Sequence, residues 1–323
     1  MKNMIHEFNY KLLSSENKTF FRNQQATFIM APRSVSPDRL AQIIKKALAE
    51  SAVVLGVSKE PFVVGLENQP QFTMAPLRAA ESVAKRALRM KSDNKLSIIV
   101  YRQTEVDEVI RFLRPNKVIA VRGSYYHAFH LRSTYEFLSK KQIPYELVSP
   151  FMDERQAIDY LDLMIPELPV IEVTKGDERA MLKACEEVAK RSFDYSFQTG
   201  AVLAEQTEDN DYVIIDCASN DVVPYQTHAM HFGNAREENV SEYNSNAHYD
   251  TIHAEMNILV RALHSGQSLK DKTLFVGLMP CPNCSRVLSQ TDLKEIVYTG
   301  KHSGDYAKQL FKKTSIMARR VDK

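Results

Sequence analysis

The chain contains 323 residues, of which 44% are hydrophobic and 25% are charged, and its formal net charge at pH 7 is +2. These proportions are those of an ordinary globular protein and exclude a disordered chain, and the length predicts two domains. The segment before residue 176 has a net charge of +6 and the remainder −4. Both values fall well short of the basic surface expected of a nucleic-acid-binding protein.

The sequence shows neither a targeting signal nor a membrane-spanning segment. Residues 1–21 mix charged and apolar positions and lack the apolar core of a signal peptide. Elsewhere no apolar run approaches the roughly 20 residues that cross a bilayer. Four cysteines are too few for a disulfide framework in a chain of this size, and Cys185 and Cys217 are expected to be small buried hydrophobic residues. We therefore expect a cytoplasmic protein without a membrane partner.

Helices and strands alternate through the first half of the chain. After an irregular start, hydrophobic periodicity and turn residues predict, in order, a helix that follows Ser36-Pro37-Asp38 and runs to about Glu50, a strand at 52–57, a loop at 58–76, a helix at 77–90, a strand at 96–101, a helix at 105–113, a strand at 117–121, a helix at 126–140 and a strand at 145–148. Such alternation is typical of a mostly parallel, Rossmann-like sheet covered by helices on both faces.

A ligand site is expected where the strands of this sheet end, because open α/β sheets bind ligands outside the carboxyl ends of their strands. Arg122, Gly123 and Ser124 follow one predicted strand and lead into a predicted helix, where they could present backbone N–H groups and a guanidinium to an anion. Neither the P-loop nor the G-x-G-x-x-G fingerprint occurs. The domain is interpreted as nucleotide-sensing or oligomerising, with a scaffold that binds nothing as the alternative.

Pro166 and Pro169 lie in a mixed stretch that predicts a boundary near residue 175, so that the domains are 1–175 and 176–323. The second domain is predicted to contain a helix at 177–192, strands at 200–204 and 212–218, a polar segment at 220–250, a helix at 253–264, a strand at 273–279, a helix at 281–289, a strand at 295–299, a helix at 305–312 and a short tail. A polar segment of that length is more often functional or flexible than a simple connection between two elements.

Two short motifs in the second domain contain the side chains of a catalytic zinc site. His253 begins one predicted helix, and Cys281 with Cys284 begins another. Catalytic zinc takes three protein ligands, with nitrogen and sulfur as preferred donors, and keeps a fourth position open. The two cysteines are one helical turn apart, so their sulfurs face the same way, and a helix N-terminus favours the thiolate form. These residues are therefore the predicted ligands of Zn²⁺.

Glu255, two residues after His253, is placed to take a proton from a zinc-activated water and to pass it to a substrate nitrogen. The alternative is a closed, structural zinc site, which would need a fourth ligand. The histidines of the polar segment could complete such a site or build a second one, although ordinary loop histidines are the simpler interpretation; they are His228, His231 and His248. The order H-x-E followed by P-C-x-x-C is the signature of zinc nucleobase deaminases.

Residues 177–323 resemble the zinc-dependent cytidine and deoxycytidylate deaminase superfamily, and most of all its deoxycytidylate (dCMP) deaminase branch. The resemblance is carried by five stretches: 199–202, 219–220, 253–257, 274–284 and 294–298. It implies an α/β fold in which the Rossmann-like domain is followed by a cytidine-deaminase-like α/β/α sandwich with a five-stranded mixed sheet. It also implies zinc on His253, Cys281 and Cys284, Glu255 as acid and base, and a homo-oligomer.

The resemblance further implies that Asn220 contacts the nucleotide, and Ala254 and Pro280, beside the zinc ligands, are expected to contact it too. The chain departs from the dCMP branch after Asn220, where Asp221 replaces the usual glycine, so the substrate stays open. The leading hypothesis is hydrolytic deamination of dCMP or a close relative. One alternative is deamination of a base in RNA, such as tRNA adenosine, which the negative charge of this half disfavours. Another is a catalytically silent nucleotide-sensing or interaction protein with a zinc fold.

Overall fold

The computed structural model describes residues 5–9, 11, 13–22, 24–89, 93–242, 245, 247–301 and 305–322. Met90, at the end of one predicted helix, and Tyr243, Asn244 and Asn246 of the polar segment lie outside these residues. The helices and strands up to residue 165 are β1 (Ile5–Glu7), α1 (Ser15–Arg22), β2 (Ala26–Ile29), α2 (Pro37–Glu50), β3 (Ala52–Ser58), α3 (Leu77–Leu88), β4 (Leu96–Tyr101), α4 (Val106–Leu113), β5 (Lys117–Val121), α5 (Ser133–Lys140), β6 (Tyr145–Val148) and α6 (Glu154–Met164).

The remaining elements follow the same order along the chain. They are β7 (Lys175–Gly176), α7 (Glu178–Ala189), β8 (Gly200–Gln206), β9 (Tyr212–Ser219), β10 (Asp221–Val222), α8 (His228–Phe232), α9 (Ala235–Glu238), β11 (Thr251–Ile252), α10 (Ala254–Ser265), β12 (Thr273–Leu278), α11 (Pro282–Leu288), β13 (Glu295–Gly300), α12 (Asp305–Phe311) and β14 (Met317–Arg320). None of the helices among the described residues combines the length and the apolar character needed to cross a membrane.

The chain forms two compact units. The first comprises Met1–Ile165 and Thr227–Tyr249, and the second comprises Pro166–Gln226 and Asp250–Lys323. The division therefore falls earlier than the expected boundary near residue 175, and it assigns most of the polar segment to the first unit. The physical reason is burial, since Met230 of that segment is fully buried and contacts Arg33 of the first unit. Residues 227–249 are called the insert below.

The first unit has a six-stranded sheet in the order β1-β4-β3-β2-β5-β6, in which every strand pairs in parallel with its neighbours. This confirms the predicted α/β class and the parallel sheet. Helices α2 and α3 bury their apolar sides in one core cluster with strand residues such as Ile29, Leu55 and Ile98. The chain leaves β2 towards β3 and β4, then returns to β5 on the other side of β2. The order therefore reverses between β2 and β5.

The helix predicted at 126–140 is shorter than expected, because α5 begins only at Ser133. His127 has a φ of 67°, a left-handed conformation that interrupts a right-handed helix. Phe129–Leu131 form a 3₁₀ turn, and Arg132 is extended. The residues that follow β5 thus enter an irregular loop, and the helix N-terminus expected directly after Arg122 is not found there.

The second unit has a mixed sheet in the order β14-β13-β12-β8-β9-β7. It has six strands, where the resemblance implied five. The edge strands, the two-residue β7 and the four-residue β14, were not predicted from the sequence, and β14 forms where a short tail was expected. Alternate strand residues face opposite sides: Val202 and Phe275 share a core cluster with α7 residues, whereas Leu203 and Leu274 share one with α10 and α11 residues. The sheet is thus covered by helices on both faces, which confirms the α/β/α sandwich.

A separate two-stranded sheet joins the two ends of the polar segment. In this antiparallel pair Asp221 lies opposite Ile252, and Val222 lies opposite Thr251. The N–H of Val223 also donates to the carbonyl of Asp250 at 2.8 Å. The residue before β10 is Asn220 and the residue after β11 is His253, so the pairing brings these two predicted site positions to the same end of the small sheet.

Candidate metal and catalytic site

The three predicted zinc ligands come together at the N-termini of α10 and α11. His253 is the N-cap residue of α10, and Cys281 is the N-cap residue of α11. Pro282 occupies the first turn of α11, where its fixed φ suits a helix start. The Nδ1 atom of His253 lies 3.6 Å from the sulfur of Cys281 and 3.4 Å from the sulfur of Cys284. All three ligand atoms lie within 4.8 Å of one another.

These separations fit a zinc ion. Tetrahedral coordination with a Zn–N bond of about 2.0 Å and a Zn–S bond of about 2.3 Å places nitrogen and sulfur about 3.6 Å apart. Within the described part of the chain, this is the one group that brings three His, Cys or acidic side chains to metal-binding distance, and Glu255 is not a member of it. Three protein ligands would leave a fourth position open, as a catalytic zinc site requires.

The pKa values of the two cysteine thiols are shifted in opposite directions. A hydrogen bond from Cys284 lowers the pKa of the Cys281 thiol to about 4, and the same contact raises the pKa of Cys284. The side chain of Cys281 also raises the pKa of His253. The cluster thus stabilises one thiolate by contacts within the chain. A divalent cation would favour the thiolate form of both cysteines, because metal ligands must be deprotonated.

Glu255 lies in the first turn of α10, beside this cluster, and is only 7% exposed. Burial raises the pKa of its carboxyl group, and its side chain shares a hydrogen bond with that of Cys284. A buried carboxyl group whose pKa is raised is suited to accept a proton and release it again. The predicted acid and base therefore lies where a proton could be moved next to the three ligands.

Two hydrogen bonds hold the helix starts in place. The side-chain amide of Asn257 in α10 donates to the carbonyl of Ser219 at 2.8 Å, which ties this helix to the end of β9. The hydroxyl of Ser285 in α11 donates to the carbonyl of Pro280 at 3.0 Å, which fixes the turn before Cys281. The ligands are thus carried by backbone that is anchored to the central sheet.

Comparison with known proteins assigns this part of the chain to a family. The model of the cytidine and deoxycytidylate deaminase zinc-binding region matches residues 174–300. The match contains all three ligand positions and Glu255, and it confirms the resemblance read from the two motifs. We call residues 174–300 the deaminase region.

Individual relatives match the chain over shorter or more distant alignments. The deoxycytidylate deaminases of Enterobacteria phages T2 and T4 are each 40% identical to it over 47 residues, which are 15% of this chain and 25% and 24% of theirs. The chain thus spans about a quarter of the length of these curated relatives. The solved dCMP deaminase of cyanophage S-TIM5, in complex with dCMP and dUMP, is 20% identical over 45% of this chain and 96% of its own, with a TM-score of 0.36.

Asn220 of the deaminase region is buried, and its side chain is held by the loop that precedes β8. Its Oδ1 accepts from the N–H of Thr199 at 2.8 Å, and its Nδ2 donates to the carbonyl of Phe197 at 2.9 Å and to the carboxylate of Asp194 at 3.2 Å. The predicted nucleotide contact of Asn220 stays a prediction. In the structure its amide fixes the conformation of residues 194–199.

Asp194 is the site residue that sequence reasoning missed. It is 6% exposed, and its carboxylate accepts from the N–H of Ser196 at 2.6 Å as well as from Asn220. Its charge is one of the groups that raise the pKa of His253, after the larger effects of Cys281 and Glu255. The signal available in the sequence was an aspartate followed two residues later by a serine in a polar turn, which is typical of an Asx turn but not of a catalytic site.

The other predicted site residues are placed as follows. Ala254 is fully buried in the core, and Pro280 is buried beside Cys281. Their predicted substrate contacts stay predictions. The Nδ1 atom of His231 lies 2.8 Å from the hydroxyl of Ser149, and that of His248 bonds to the hydroxyl of Ser241. Among the described residues, no group of three metal-ligating side chains contains a histidine of the insert.

Proposed function

We propose that this protein is a zinc-dependent hydrolytic deaminase that converts a cytosine nucleotide, dCMP or a close relative, to the uracil nucleotide and ammonia. One observation carries the proposal: His253, Cys281 and Cys284 meet at zinc-binding distances with buried Glu255 beside them, inside the deaminase region. These three side chains would hold Zn²⁺, which when bound lowers the pKa of water towards neutrality.

Glu255 would move the protons of the reaction. Its carboxylate accepts a proton from the attacking water and delivers it to the ring nitrogen next to the reacting carbon. The water oxygen forms the new bond to that carbon, the bond to the exocyclic nitrogen breaks, and a second proton transfer releases this nitrogen as ammonia. Burial favours the protonated carboxyl group, so the proton is held until it is passed on.

The choice of a cytosine mononucleotide rests on the relatives, since those found in phages T2 and T4 are deoxycytidylate deaminases. We also propose a cytoplasmic location, as expected from the sequence, and a homo-oligomer, as the resemblance implies. Deamination of a base in RNA remains the alternative, and the net charge of −4 after residue 175 disfavours it.

Ammonia release from purified, zinc-loaded protein tests this function. We expect turnover with cytosine nucleotides, dCMP first among them, and none with adenine nucleosides, adenine nucleotides or tRNA. The Glu255→Gln variant should keep its zinc and lose turnover by about 10²–10⁴-fold, because the amide cannot carry the proton. Glu187→Gln makes the same change on α7 outside the ligand group and should leave the rate unchanged.

Three results would overturn the proposal in different ways. Wild-type turnover in Glu255→Gln would exclude the proton-transfer role. Absence of ammonia from every cytosine and adenine compound would favour a catalytically silent nucleotide-sensing protein, and release from tRNA alone would favour the RNA alternative.

A further inference from the structure

Two arginines of the first unit lie where the strand order of its sheet reverses. Arg33 follows β2, and Arg122 follows β5, which is the neighbour of β2 in the sheet. In open α/β sheets, ligands bind outside the carboxyl ends of the strands at this reversal. We call Arg33, Arg122 and the backbone N–H of Phe129 the strand-end cluster.

Arg33 carries a buried positive charge that no carboxylate compensates. The residue is 1% exposed. Its guanidinium donates to the Tyr160 hydroxyl at 2.9 Å and to the carbonyl of Gln71, contacts the sulfur of Met230, and has no hydrogen-bond partner at Nε. Among the described residues it forms no ion pair. Burying an unpaired charge is costly, and a thioether is only a weak acceptor, so this environment favours an anion.

The second part of the cluster already binds anionic groups of the chain itself. Arg122 forms an ion pair with Glu238 at 2.9 Å and donates to the carbonyl of His231 at 3.2 Å. The N–H of Phe129 donates to the carboxylate of the adjacent Glu237 at 2.7 Å. Both glutamates belong to α9 of the insert. The cluster therefore recognises carboxylates in this structure, and the insert supplies them.

The Arg33 guanidinium passes close to the backbone of Gly123, the residue after Arg122. This residue has a φ of 73°, and a Cβ atom added to it would lie 2.9 Å from Nη1 of Arg33. The N–H of Arg33 in turn donates to the hydroxyl of Ser124 at 2.7 Å. Arg33, which follows a different strand, thus contacts two of the three residues predicted from the sequence as an anion site, Gly123 and Ser124, and the third, Arg122, precedes them directly in the same loop.

We propose that the strand-end cluster binds the phosphate group of a small phosphorylated ligand, and that the insert is its intramolecular competitor. Arginine forks match the oxygens of a phosphate, and two of them would neutralise its charge. The ligand takes the place of the Glu238 carboxylate on Arg122 and of the Met230 sulfur on Arg33. Binding therefore releases the insert from the first unit.

Calorimetric titration of the full chain tests this site with three probes: inorganic phosphate, ribose 5-phosphate and adenosine 5′-monophosphate. Removing the competing carboxylate in Glu238→Gln should tighten binding about tenfold. Removing the charge that pairs with phosphate in Arg122→Gln should weaken it at least about tenfold. Arg86→Gln is the matched control, because Arg86 is exposed and pairs with Asp38 outside the cluster. Tighter binding of an organic phosphate than of inorganic phosphate would identify an organic ligand.

Hydrogen exchange distinguishes displacement from simple binding. Amides of residues 227–242 should exchange faster when phosphate is bound, because the insert has lost its contacts with the cluster. The proposal is overturned if neither the wild type nor Glu238→Gln binds any probe saturably, or if Arg122→Gln binds as tightly as the wild type, which would place the phosphate elsewhere, for instance in the deaminase region. Binding without faster exchange would overturn the competition between ligand and insert.

Discussion

The deaminase site and the strand-end cluster have opposite electrostatic characters. In the deaminase region, two thiols and an imidazole converge and share protons, which is an arrangement that attracts a cation. In the first unit, the Arg33 guanidinium is buried without a carboxylate partner and the Arg122 guanidinium pairs with Glu238, and such positive charges attract an anion. In each site, the uncompensated charge of the side chains therefore indicates the sign of the charge on the ligand.

The two sites also differ in how far apart their residues lie in the sequence. The ligands of the deaminase site come from two short motifs, and each motif starts a helix. The strand-end cluster joins Arg33, Arg122 and the carboxylates of Glu237 and Glu238, which meet only after the sheet has formed and the insert has folded back onto it. Local motifs therefore reveal the first site, whereas the second is visible only in three dimensions.

The largest expected effect is on metal binding. Cys284→Ser removes one of three ligands, so the affinity for zinc should fall by more than about 100-fold, because serine offers no soft anionic donor. Zinc content per chain and competition with a chelator measure the loss. Cys217→Ser removes a half-buried thiol outside the ligand group and should keep the wild-type zinc content. Equal zinc in both variants would exclude the three-ligand site.

The next prediction tests whether Asn220 stabilises the fold in addition to its predicted contact with the substrate. Asn220→Ala leaves the N–H of Thr199 and the carbonyl of Phe197 without their partner, which should lower the free energy of unfolding by about 2–3 kcal/mol. Urea denaturation measures this. Asn239→Ala removes an exposed amide that bonds within its own helical turn, and should cost below about 0.5 kcal/mol. A raised KM with unchanged stability would show that Asn220 acts on the substrate alone.

Periodicity and motifs predict most of the elements because these signals are local. The order of strands and helices from α2 to β6, the parallel sheet and the grouping of the three predicted zinc ligands all follow from such signals, whereas β1, α1 and β2 lie in the start of the chain that was wrongly predicted to be irregular. β14 was missed because Met317–Arg320 is short and half charged, and its place in the sheet depends on pairing with β13 and on the ion pairs of Arg319 with Glu178 and Glu295.

Features that depend on tertiary contacts could not be predicted. The helix predicted at 126–140 is too long because its residues have adequate helix propensity, whereas in the folded chain the left-handed φ of His127 and the extended backbone of Arg132 interrupt it. Arg236 lies in the polar segment, where a charged side chain is usually solvated, yet it is 9% exposed and donates to the carbonyl of Glu242 within the insert. No local pattern indicates that the insert joins the first unit.

The smallest effect isolates the close approach at Gly123. Gly123 and Gly266 have nearly the same backbone conformation, with φ values of 73° and 70°. A Cβ atom at Gly266 would meet nothing within 4 Å, whereas one at Gly123 would meet Arg33. Gly266→Ala should therefore show only the cost of a left-handed alanine, about 1 kcal/mol. Gly123→Ala should cost roughly 1 kcal/mol more, because the guanidinium it displaces is buried and held on several sides.

Urea denaturation of both variants measures that difference in stability. Phosphate titration then shows whether the difference is related to ligand binding. The guanidinium end of an arginine can usually move at little cost in free energy. An extra loss of stability in Gly123→Ala therefore requires that Gln71 and Tyr160 hold Arg33 in place. If Arg33 is fixed for ligand binding, Gly123→Ala should also weaken phosphate binding while Gly266→Ala leaves it unchanged. Equal losses of stability, with equal phosphate affinities, would mean that Arg33 can shift freely and that the strand-end cluster is not preorganised.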